Sequence, residues 1–172
     1  TLAASFEKFR ENIEPEGYDR VKATARRDDL VGILSKDFTI VDSFPTGSLP
    51  KYTAVKNFAD LDVFVVLHYG KHIEGKKPSQ VLQAVRDSLG EYKTNVRKNG
   101  QAVTLHYKTW PKVDIVPVYF TADGSGGVAY YNVPDVDDES WTPSKPVEHS
   151  DALSARNDGY GSEFKRIIKM IK

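Results

Sequence analysis

The chain has no cysteine among its 172 residues. That excludes a disulfide framework, a thiolate metal site and a cysteine nucleophile. It also has no net charge, because 24 Lys and Arg balance 24 Asp and Glu. A polyanion-binding character spread over the whole chain is therefore not expected, although local basic surface is compatible with neutrality. No apolar run approaches the length of a membrane span, and nothing has the pattern of a signal peptide; a cytoplasmic protein with no membrane partner is the simple reading. The histidines, His68, His72, His106 and His149, include no pair at zinc-ligand spacing. No Ser-His-Asp pattern argues for hydrolysis. Repeats and long linkers are lacking as well, and the length suits one domain with its own hydrophobic core.

What is present is a set of acidic residues placed on apolar strands. Val63-Phe64-Val65-Val66-Leu67 is a continuous apolar run, as expected of a strand covered on both sides. Asp60 and Asp62 stand at its head, and side chains alternate along a strand, so the two point the same way. Val113 to Phe120 reads as a second strand with one charge, Asp114, near its start. A lone carboxylate in so apolar a run is costly unless something compensates it. If the two strands are neighbours, Asp114 joins Asp60 and Asp62 around divalent metal. Two Mg2+ (or Mn2+) ions held there, with waters and substrate phosphates completing the shell, would bracket an in-line displacement at phosphorus.

The segment upstream supplies a candidate phosphate grip. Phe38 to Val41 alternates as a strand does, and Phe44-Pro45-Thr46-Gly47-Ser48 then turns the chain. Gly47 lets a backbone amide approach a phosphate, Ser48 adds a hydroxyl, and Lys51 adds a nearby positive charge. A short helix beginning at Ser48 would further favour an anion. Each part alone is a common turn or acidic loop. Their order is what points to nucleotidyl transfer.

The remaining pattern is α/β. Leu2 to Ile13 has helical spacing, with Phe6 and Phe9 on one face. Tyr18 to Lys36 reads as a second helix that buries Val21, Ala25, Leu30, Ile33 and Leu34. Lys71 to Lys77 is a basic, solvated loop. Pro78 and Ser79 open a third helix with Val81, Leu82, Val85 and Leu89 on its apolar face. Asn99-Gly100 marks a hairpin turn leading into Ala102 to Tyr107. Gly124 to Gly127 is a hairpin loop, and Asp135 to Glu139 an acidic, solvated one. Phe164, Ile167, Ile168 and Ile171 share one face of a last helix that packs on the sheet.

Gly47-Ser48-Leu49-Pro50-Lys51-Tyr52-Thr53 followed by Phe58-Ala59-Asp60-Leu61-Asp62 resembles the signature of the polymerase-beta-type nucleotidyltransferases. Within that superfamily the chain is most similar to the CD-NTase enzymes, whose domain is also called SMODS: the bacterial relatives of cyclic GMP–AMP synthase and oligoadenylate synthetase. Val113-Asp114-Ile115-Val116-Pro117 fits the strand of the third Asp. Tyr130 to Asp135, Trp141 to Pro146 with His149, and Phe164 to Lys169 fit the same branch. One departure is Ala59, where many relatives carry Ser.

The resemblance implies a polymerase-beta-like core, with a mixed, mostly antiparallel sheet flanked by helices. It implies nucleoside triphosphate substrates (ATP, GTP or others) joined into a cyclic di- or oligonucleotide second messenger for antiphage signalling. It also implies Lys169 near the triphosphate, and it allows a regulatory protein partner. Residues 1–172 then correspond to the catalytic core, with the C-terminal helical domain usual in relatives absent or truncated. Two other readings stay open. A template-independent RNA nucleotidyltransferase, like the archaeal CCA-adding enzymes, shares much of the signature; the zero net charge argues against a nucleic-acid partner. A catalytically silent nucleotide-binding protein is the other, and the presence of all three Asp argues against it.

Overall fold

A computed structural model describes residues 1–93 and 95–172, apart from the side chain of Tyr18. The chain runs α1 (Leu2–Ile13), α2 (Gly17–Leu34), β1 (Ile40–Thr46), β2 (Leu61–Leu67), α3 (Pro78–Gly90), β3 (Val96–Asn99), β4 (Ala102–Leu105), β5 (Val113–Ala122), β6 (Val128–Asp135), β7 (Ser140–Ser144), α4 (Pro146–Gly159) and α5 (Phe164–Ile171). A single π-type turn, Tyr69–Ile73, lies between β2 and α3, inside what the sequence presents as a plain basic loop.

The sheet order is β1-β2-β5-β4-β3, with β6 beside the far end of β5 and β7 beside β6. Only β2 and β5 pair in parallel among the described residues; the other pairings are antiparallel. Parallel neighbours need a long crossover, here supplied by α3 and the β3–β4 hairpin. The architecture is the mixed, mostly antiparallel sheet with flanking helices that the sequence predicts.

β2 is buried on both faces. Leu61, Val63, Val65 and Leu67 join Leu30, Leu34, Val81, Leu82, Val85 and Leu89 in the main core under α2 and α3. Phe64 and Val66 point the other way and pack with Val116, Val118 and Val133 in a second cluster, closed by Phe44 and Tyr131. The continuous apolar run of β2 follows from this double cover. α3 begins with Pro78 in its first turn and is capped by Gln80, whose side chain accepts the Lys77 amide at 2.9 Å.

Four expectations are corrected. The first strand does not end at Val41 but continues through Thr46, because Phe44 and Pro45 pair with Phe64 and Val63. In α2, Val21 and Ala25 are exposed and Ala23 is buried, so the inward face is rotated from the predicted one. No helix starts at Ser48; residues 47–52 form a turn, with Thr53 N donating to Ser48 O and Tyr52 N to Leu49 O. Finally, α5 packs on α1 and α4 rather than on the sheet, leaving Ile167 and Ile171 54% and 79% exposed.

Candidate active site

The parallel pairing of β2 with β5 places Asp62 directly opposite Asp114. Both belong to the parity of Phe64, Val66, Val116 and Val118, so both lie on the sheet face turned away from α2 and α3. Leu61 and Val113 are the first paired residues of the two strands, and Leu61 N also donates to Lys112 O at 3.0 Å. Asp60 and Lys112 therefore flank the same strand end, one residue ahead of it on either side.

β1 closes the other side of β2. Its last residue, Thr46, lies opposite Asp62, and Gly47 follows with φ +71°. A Cβ on Gly47 would sit 2.8 Å from the Asp62 carboxyl carbon and closer still to Oδ2. That contact is not available to any side chain, so glycine here makes room for the Asp62 carboxylate. Asp114 is fixed from the opposite direction. Thr104, on β4 and in register with Asp114, is 1% exposed and its hydroxyl donates to Asp114 Oδ1.

The electrostatics follow from this crowding. Burial, then the neighbouring Asp114 and Asp60 charges, push the Asp62 carboxyl up to about 6. Lys112 answers that charge. Its Nζ lies 2.9 Å from Asp60 Oδ2 and 3.9 Å from Asp114 Oδ2. The hydrogen bond to Asp60 raises the Lys112 ammonium above its ordinary value, against a smaller burial effect.

A cleft of ≈ 630 Å³ opens in front of Asp60 and Asp62, with Ser48 and Lys169 also in its wall and Phe9 and Phe58 at its apolar side. Ser48 thus shares the cleft with Asp60 and Asp62, while Lys51 lines a neighbouring hollow of ≈ 180 Å³ with Pro146 and Asp151 and still acts on the Asp62 carboxyl through its charge. Lys169 is 7% exposed, and its ammonium is paired with Glu14 at the end of α1 rather than free in the cleft. Lys172 lines the same cleft and donates to Thr53 O at 3.1 Å. His149 lies exposed on α4.

Three residues of the site go unmarked in the sequence reading: Lys112, Thr104 and Glu14. Lys112 had a signal, since it stands two residues before Asp114 and so shares its face. Thr104 and Glu14 reach the site only through the β4–β5 register and the α1–α5 packing.

Among the described residues no three acidic, His or Cys side chains form a ready metal cage. The donors nonetheless suit a hard divalent cation. They are carboxylate oxygens at the edge of an open cleft, one of them raised in pKa first by burial and then by its acidic neighbours, and the ammonium of Lys112 lies within ion-pair distance of the other two.

The profile of the Second Messenger Oligonucleotide or Dinucleotide Synthetase domain, SMODS, matches residues 1–157. The chain belongs to the SMODS family. It is 26% identical over 185 aligned residues to the cyclic AMP-AMP-AMP synthase of Escherichia coli (strain MS 115-1), an alignment covering 98% of the chain and 54% of that synthase. The SMODS chain thus spans about half the length of this curated relative. Its fold is that of CD-NTase structures. E. coli MS115-1 CdnC with ATP superposes with TM-score 0.71 at 22% identity, over 98% of this chain and 54% of that one. A complex of CdnC with HORMA-deltaN gives 0.67 at 21% identity, with the same coverage. Bradyrhizobium diazoefficiens CdnG with GTP gives 0.74 at 17% identity, over 90% and 47%.

Proposed function

We propose that the SMODS chain carries the catalytic core of a metal-dependent nucleotidyltransferase that joins nucleoside triphosphates into a cyclic di- or oligonucleotide. The observation that carries this reading is the facing of Asp62 and Asp114 on parallel strands, with Asp60 at the same strand end and Ser48 sharing one cleft with Asp60 and Asp62. In the reaction, a ribose hydroxyl oxygen of one nucleotide bonds to the α-phosphorus of another. The bond to pyrophosphate breaks, and the hydroxyl proton is released. Asp60, Asp62 and Asp114 are the residues that would hold two Mg2+ or Mn2+ ions, which supply charge neutralisation at the phosphates and a lowered hydroxyl pKa.

The chain's own groups do the rest. Gly47 gives the Asp62 carboxylate its place, and Thr104 fixes the rotamer of Asp114. Ser48 offers a hydroxyl donor to the polyphosphate. Burial and the neighbouring Asp114 and Asp60 charges raise the Asp62 carboxyl to about 6 without metal, so a divalent cation would relieve the repulsion at this site. The apolar side of the cleft, Phe9 and Phe58, suits a nucleobase.

The solved relatives with ATP and GTP support purine nucleotides as substrates, and the HORMA complex of CdnC supports a regulatory protein partner. Family membership supports a second-messenger product; antiphage signalling is the role we propose for it. The test is incubation with labelled ATP and GTP and Mg2+ or Mn2+, with products resolved and nucleotide binding measured in parallel. Metal-dependent nucleotide binding that disappears in Asp62→Asn is the expected result. Binding that is indifferent to metal and to Asp62 overturns the reading.

A further inference from the structure

Lys112 stands one residue ahead of β5, with its ammonium beside two of the three carboxylates. Three carboxylates at one strand end repel one another, most strongly where burial keeps water from screening them. Lys112 is the cation that the chain pairs directly with two of them. Its ammonium touches Asp60 at 2.9 Å and reaches Asp114 at 3.9 Å. The backbone holds it there, since the Lys112 carbonyl accepts from Leu61 N at 3.0 Å and locks the two strand ends together. The Asp114 side chain is 14% exposed, and Thr104 occupies its other oxygen, which leaves Oδ2 to Lys112. An ordinary surface ion pair joins one ammonium to one carboxylate and contributes little. Here one ammonium spans two carboxylates that the proposed reaction needs for metal.

We propose that Lys112 is a built-in counter-cation that occupies the divalent-metal position of the Asp60–Asp62–Asp114 site until a nucleotide arrives. This rests on the reading of the site given above. A cation entering between Asp60 and Asp114 must displace the Lys112 ammonium, so metal binds weakly to the nucleotide-free protein. A polyphosphate arriving with metal brings its own negative charge, and the displaced ammonium gains a new partner. Metal and nucleotide therefore bind together rather than in sequence, by the reciprocity of linked equilibria. Lys112 acts as a positioning residue: it sets the order of binding and is not itself required to touch the reacting atoms.

The experiment measures Mn2+ binding by the loss of the free-ion signal in electron paramagnetic resonance. It uses wild type, Lys112→Met, Lys112→Arg and Asp62→Asn, each with and without a non-hydrolysable ATP analogue. Without nucleotide, Lys112→Met is expected to bind Mn2+ about ten-fold more tightly than wild type, a coupling of ordinary size. Lys112→Arg keeps the charge and should stay at the wild-type level. With the analogue present, the difference between Lys112→Met and wild type should shrink to about two-fold or less. In EDTA the thermal midpoint of Lys112→Met should fall below that of wild type, and Mn2+ should raise it by more.

Equal or weaker Mn2+ binding by a folded Lys112→Met overturns the proposal while leaving the site intact, provided wild type with analogue binds Mn2+ and Asp62→Asn does not. Loss of Mn2+ binding in every protein, with or without analogue, overturns the reading of the site itself. If Lys112→Met does not fold, Lys112→Gln takes its place with the same expectations.

Discussion

Gly47 and Asp62 approach so closely that a β-carbon on Gly47 would lie 2.8 Å from the Asp62 carboxyl carbon. Gly47 also has φ +71°, a conformation that side chains with a β-carbon rarely adopt. Gly47→Ala therefore carries two penalties, a backbone strain of about 1 kcal/mol and a steric one that falls on Asp62. Only the second depends on the Asp62 side chain. The cost of Gly47→Ala, measured by chemical denaturation, should be smaller in an Asp62→Ala background than in wild type. Strictly additive costs would show that the carboxylate is not what the glycine accommodates.

The raised pKa of Asp62 predicts a stability profile with a definite sign. The folded carboxyl titrates at about 6, above the ordinary 3.8, so the folded state binds the proton more tightly than the unfolded chain. In EDTA the stability this group contributes is full below pH 3.8 and is lost as pH rises toward about 6. Asp62→Asn should flatten that limb, and above pH 6 it should leave the metal-free fold as stable as wild type or slightly more so. Thermal midpoints recorded across this range decide it. A wild-type midpoint that rises between pH 4 and 6, with no change in slope in the variant, would contradict the assignment.

Thr104→Val keeps the shape of a buried side chain and removes the donor to Asp114 Oδ1. The loss of one hydrogen bond to a carboxylate should cost about 1.5–3 kcal/mol in denaturant unfolding. Because the freed carboxylate can rotate, Mn2+ affinity in the presence of nucleotide should fall as well. A variant with full stability and full metal affinity would reduce Thr104 to a packing residue.

Lys169 is buried beside the cleft, and Glu14 is its partner. Glu14→Gln leaves the ammonium without a counter-charge, at a cost of about 1 kcal/mol given that the Glu14 side chain is 46% exposed. A triphosphate bound in the cleft would restore a counter-charge. The thermal shift produced by nucleotide and Mg2+ should then be larger in Glu14→Gln than in wild type. Equal shifts would place Lys169 outside the polyphosphate's reach.

The strands and helices that pack by simple period were legible. β2 shows its double cover as an unbroken apolar run, α3 shows its buried stripe at Val81, Leu82, Val85 and Leu89, and Asn99-Gly100 marks its hairpin. Elements whose partners are distant in sequence were not. The helical spacing of α5 is real, but it cannot say that Ile167 and Ile171 remain exposed while Lys169 is buried against Glu14. Likewise, Phe44 and Pro45 read as the start of a turn until pairing with β2 extends β1 through them.

The sequence by itself determined which residues could do the chemistry: a fixed set of carboxylates, their parity along two apolar strands, and a glycine-serine turn ahead of them. Parity follows from the two-residue repeat of an extended chain and needs no partner. The tertiary structure decided which of those groups meet. The parallel register sets Asp62 against Asp114, Gly47 yields space to the Asp62 carboxylate, Lys51 lines a neighbouring hollow, and Lys112 spans Asp60 and Asp114. Each of these depends on the pairing of segments far apart in the chain, and the free energy of such contacts is absent from any local pattern of residues.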